Sequence, residues 1–77
     1  MSKSAQLQKV LQEKGWKAKV WWEPYKNELW GSAGGYNVEI ENYDAVQLIH
    51  FHGFWLGHDF DSAMIEVNKY PVFDPVN

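Results

Sequence analysis

The stretch WKAKVWWEPYKNELWGSAGGYNVEIE, residues 16–41, decides the fold. In its first eight residues Trp16, Ala18, Val20 and Trp22 fall on one side, and Lys17, Lys19, Trp21 and Glu23 on the other. A period of two marks a half-buried strand, because successive side chains point to opposite faces. Pro24, Tyr25, Lys26 and Asn27 then have the chemistry of a turn, with proline early and asparagine late. Residues 28–33 read as the return strand, and Gly34-Gly35 as a second tight turn. Tyr36, Val38 and Ile40 next alternate with Asn37, Glu39 and Glu41, the cleanest strand pattern in the chain. The expectation is three antiparallel strands in meander order, with one apolar face and one wet face.

The flanks read as helices. Over residues 4–14, Leu7, Val10 and Leu11 make a narrow apolar stripe, and Gly15 stands where a left-handed cap belongs. A last helix spans residues 62–70, opened by Asp59 or Asp61 and stopped by Pro71. It carries Ala63, Met64, Val67 and Tyr70 on one face. The tail beyond it keeps enough apolar residues to pack back on the domain. Between sheet and last helix, residues 44–53 support two readings. Asp44 and Gln47 have the form of a capping box and Gly53 that of a stop, which favours a helix. Val46, Ile49, Phe51 and Phe54 favour a fourth, buried strand. The fold class is α+β: a small three-stranded or four-stranded antiparallel sheet with helices packed on one face, in a single domain over residues 1–77.

Composition narrows the function. The chain of 77 residues has no cysteine, so disulfides and thiolate metal sites are excluded. Its first residues lack the apolar centre of a secretory signal, and the uncharged run 45–57 is too short to cross a bilayer. A cytoplasmic domain with no membrane association is expected. The net charge of −3 is unevenly divided: residues 1–30 hold six lysines and three glutamates, whereas residues 31–77 hold Lys69 and seven acids. Such a dipolar chain can orient an encounter with a charged partner. All seven basic residues are lysine, which weighs against base reading in DNA, where the arginine fork is the favoured tool.

Five tryptophans in so short a chain are the main functional signal. Alternation places Trp21 outward among Lys17, Lys19 and Glu23, and Trp30 outward between inward Leu29 and Gly31. Two indoles left in water point to a partner that covers them, since tryptophan anchors interface hot spots. The competing explanation is a cross-strand Trp21–Trp30 pair that stiffens the sheet. A second binding surface is acidic: Glu39, Glu41, Asp44, Asp59, Asp61, Glu66 and Asp74 could gather into one negative face. In size and charge the chain is similar to phage-encoded antagonists that present carboxylates where phosphates would sit.

Chemistry-bearing motifs are sparse. His50 and His52 would share a face on a strand, with His58 from the following loop, but this spacing completes no metal motif. Gly31-Ser-Ala-Gly-Gly35 is neither a nucleophile elbow nor a phosphate loop. The expectation is a non-enzymatic protein-interaction or inhibitor module without a cofactor, binding through Trp21, Trp30 and their neighbours or through the acidic residues. The alternative is a small single-stranded nucleic-acid binder that stacks bases on tryptophan beside Lys17 and Lys19. A second copy of the chain, paired through an open strand edge or through stacked tryptophan faces, is a further candidate partner.

Overall fold

Strand backbone runs unbroken through positions whose local chemistry reads as turns. In the computed structural model, which describes residues 1–27 and 31–75, β1 (Ala18–Asn27) pairs antiparallel with β2 (Gly31–Ile40). The register runs from Ala18 opposite Ile40 to Asn27 opposite Gly31. Both expected turns, at 24–27 and at Gly34-Gly35, therefore lie inside strands, and the expected second and third strands are one. The third strand of the sheet is β3 (Trp55–Gly57), antiparallel to β2, in the order β1-β2-β3.

Pro24 is tolerated because of where its missing donor would point. The Val20 N–H turns away from β2 and donates to the Gln8 side chain (2.9 Å), while the Lys17 carbonyl accepts from Glu41 N–H (2.9 Å). Even-numbered residues of β1 thus direct their backbone groups to the open edge. Pro24 is one of them, so the ladder loses no bond. The same edge is covered nearer its start, where Gln12 also donates to the Ala18 carbonyl (3.4 Å).

The Gly34-Gly35 pair provides seats for two indoles. A Cβ on Gly34 would run into the Trp22 ring on the inner face, and one on Gly35 into the Trp55 ring on the outer face. Neither glycine has a positive φ. Their small size is what the sheet uses, with large rings lying across bare backbone on both sides.

Helix α1 (Lys3–Glu13) is capped by Ser2, whose hydroxyl accepts from Ala5 N–H (3.1 Å). It ends in a Schellman arrangement: Gly15 at φ 94°, Gly15 N–H to Gln12 C=O and Trp16 N–H to Leu11 C=O. Helix α2 (Phe60–Lys69) is opened by Asp59, whose carboxylate accepts from Ser62 N–H (2.7 Å). The two helices cover the inner face of the sheet. Leu7, Leu11, Trp16, Val38, Leu48 and Val67 are among the residues buried between the layers. Trp16 donates from Nε1 to the Pro71 carbonyl (2.8 Å) and meets Phe73 edge-on, so the tail does pack back.

Residues 44–53 form neither the helix nor the strand their sequence favours. The Asp44 half of the capping box is present: its carboxylate accepts from the Val46 and Gln47 N–H groups, and the Gln47 side chain donates to that carboxylate from Nε2. Yet the segment is a series of turns. Only Leu48 is buried, with Phe51 packed on Tyr70, while Val46, Ile49 and His50 face water. The Gln47 amide is also committed to the tail, donating to Asp74 C=O (3.0 Å) and accepting from Asp74 N–H (2.8 Å). Two apolar anchors give a helix too little burial to offset its nucleation cost.

Candidate functional site

The ten-residue strands β1 and β2 are each about 33 Å long, whereas an eleven-residue helix such as α1 covers only about 16 Å. The ribbon therefore outruns its helical cover. Trp22 shows the consequence: it lies on the inner face with Ala18 and Val20, yet 48 % of it is exposed. The sequence pattern put Trp22 on the correct face without showing that the core stops short of it.

The outer face carries Lys19, Trp21, Glu23 and Tyr25 from β1 and Lys17 just before it, all exposed. Cross-strand register sorts them into two regions. Lys19 stands opposite Glu39, and just beyond the strand ends Glu41 N–H donates to the Lys17 carbonyl, so each lysine lies across from a glutamate. Farther along, Trp21 stands opposite Asn37, which in turn is opposite Trp55. Glu23 stands opposite Gly35, over which the Trp55 ring lies. Tyr25 completes the set, its ring centroid 6.2 Å from that of Trp55.

His58 secures this second region. Its Nδ1 is 3.1 Å from the Tyr25 hydroxyl and 3.2 Å from the Gly34 carbonyl, and its ring meets Trp55 edge-on at 5.0 Å. One imidazole thus joins the loop before α2 to both strands of the ribbon. The result is an aromatic surface in which rings from β1 and β3 lie over β2, with Trp21 40 % and Tyr25 39 % exposed. Trp55 is half-buried beneath its neighbours.

The other sequence candidates are distributed differently. Trp30 and the expected strand 28–33 fall partly on residues 28–30, outside the described residues. Glu39 and Glu41 lie on the outer face opposite the lysines, whereas Glu66 belongs to α2, on the inner side of the sheet. Asp59 is engaged at the start of α2; its hydrogen bonds from the Ser62 backbone and side chain hold its carboxyl below the usual range. His50 and His52 are exposed, and His52 meets Phe54 edge-on. Among the described residues no three His, Asp or Glu side chains are placed to hold a metal ion. Nor is any helix among them long and apolar enough to cross a membrane.

Sequence reasoning missed Tyr25, Trp55 and His58 as parts of this surface. The alternation from Lys17 through Tyr25 carries the signal for the first of these. The interpretation of Pro24 as a turn residue hid it. Trp55 and His58 come from a distant segment, and only the β2–β3 pairing brings them in. No family model, no curated protein and no solved structure matches this chain.

Proposed function

We propose that the protein is a non-enzymatic interaction module that binds another protein through the outer face of its sheet. The observation that carries this reading is the aromatic surface of Trp21, Tyr25 and Trp55, left uncovered by either helix. Aromatic rings held rigid by their own framework lose little entropy on binding, and such residues anchor interfaces. The tie from Tyr25 to His58 supplies that rigidity.

The nucleic-acid alternative is less well supported by the same face. A phosphate backbone needs uncompensated positive charge, and Lys17 and Lys19 each face a glutamate. An inhibitor acting through acidic residues alone would have to use a surface divided between the two sides of the sheet.

The test is capture of partners from the native host with the parent protein and with Trp21→Ala, each with and without nuclease. Trp21 is exposed, so its loss should lower the melting temperature by no more than a few degrees while abolishing capture of a specific protein. Capture that persists in Trp21→Ala overturns the reading. Capture that vanishes with nuclease, or falls steeply with salt, moves the function to nucleic acid.

A further inference from the structure

The three outward carboxylates of the sheet do not have equivalent surroundings. Glu39 and Glu41 each stand opposite a lysine. Glu23 stands opposite Gly35, and the group filling the space above that glycine is the Trp55 indole. Two residues to either side along β1, on the same face, are Trp21 and Tyr25. Glu23 makes no ion pair or side-chain hydrogen bond among the described residues. An exposed carboxylate without a counter-charge is therefore framed by three aromatic rings.

That juxtaposition matches one side chain better than any other. Arginine presents a planar cation that stacks on an aromatic face while its N–H fork reaches a carboxylate in the same plane. Lysine is a point charge with stronger hydration and gains less from the rings. From this geometry we infer that Glu23, with Trp21, Tyr25 and Trp55, receives an arginine side chain of the partner protein. The inference rests on the aromatic-face reading and names the chemistry of its partner. Charge agrees: the chain has a net charge of −3, and among the described side chains the nearest lysine on this face, Lys19, is four residues away and faces Glu39. The sequence contains no arginine, so a second copy of the chain cannot supply the group. Tyr25 is already fixed by His58, and Trp55 by its seat on Gly35, so the receptor needs little ordering before it binds.

The experiment is a titration of isotope-labelled protein, followed by amide and indole N–H shifts, with three blocked glycine pentapeptides. Their central residues are arginine, lysine and the uncharged arginine isostere citrulline. The arginine peptide should shift the Trp21 and Trp55 indoles and the Gly35 amide saturably. The lysine peptide should bind several-fold more weakly and the citrulline peptide weaker still. Glu23→Gln, an exposed change that preserves size, should reduce the arginine affinity roughly fivefold, the scale of one exposed cation–π or ionic contact. Glu39→Gln should leave it unchanged.

Equal binding of arginine and citrulline peptides overturns the inference, as does an equal effect of Glu23→Gln and Glu39→Gln, which would signal charge alone. The partner capture separates this inference from the reading beneath it. If Glu23→Gln retains a partner that Trp21→Ala loses, the arginine receptor falls and the aromatic-face module stands.

Discussion

Tyr70 shows how a single buried group sets a limit on stability. Its ring packs on Phe51 with centroids 4.5 Å apart, and only 2 % of the residue is exposed. Its hydroxyl faces the Gly53 backbone yet makes no hydrogen bond of ordinary geometry. Burial first, and the Glu66 carboxylate second, push its pKa up from 10.0 to about 12. The folded state thus holds this proton more tightly than the unfolded chain does. The corresponding stability is present in full below pH 10 and is lost as pH rises towards 12. Tyr70→Phe keeps the ring and removes an unsatisfied polar atom. It should stabilise the protein by about 1 kcal/mol at neutral pH in a urea titration and shrink the loss of stability above pH 10. A loss at neutral pH would show that the hydroxyl is satisfied after all. The burial of Tyr70 beside Ala63 and Val67 was legible in the sequence, although the expected helix ran through it and the structure ends α2 at Lys69, with Tyr70 as the extended residue that caps it. Its missing hydrogen bond was not, because residues 51–53 close over it only in the folded chain.

At the scale of elements, Gly34 and Gly35 of β2 should respond differently to substitution. A Cβ on Gly35 would meet both the Trp55 ring and the Gly57 carbonyl oxygen, 2.8 Å away. Trp55 is held between Tyr25 and His58 and cannot easily yield. A Cβ on Gly34 would meet Trp22, whose half-exposed ring is free to swing outward, and the Glu23 carbonyl oxygen at 3.0 Å. Gly35→Ala should therefore destabilise by about 1–3 kcal/mol, the range for overpacking, and Gly34→Ala by less. Denaturant midpoints followed by tryptophan fluorescence check the order, and the reverse order would mean that Trp55 is not seated as described. The helices were legible within one or two residues, since capping chemistry at Asp59 and Gly15 is local. The turns were not. Proline and paired glycines signal a turn by default, and only the partner across the sheet shows when an open edge or an overlying ring has claimed them instead.

For the whole molecule, stability converges on Trp16, which joins the end of α1, the start of β1 and the tail. It is 1 % exposed, bonded to Pro71 and packed on Phe73, while Lys14 beside it donates to the Asn68 and Tyr70 carbonyls. Trp16→Ala should cost about 3–5 kcal/mol, a large part of the 5–15 kcal/mol typical of a folded domain. Thermal melting by circular dichroism should show a largely unfolded chain near physiological temperature, and a cooperative melt close to that of the parent would show that the tail and helix hold without it. The sequence by itself determined the α+β class, both helices, the inward set Trp16, Ala18, Val20, Tyr36, Val38 and Ile40, and the outward position of Trp21. Periodicity and capping depend on neighbours along the chain, and those are written in order. Tertiary structure alone decided that two expected strands are one, that the third strand is Trp55–Gly57, and that Glu23 sits among rings rather than opposite a lysine. Each of those depends on which backbone lies alongside, a choice made by packing between segments far apart in sequence.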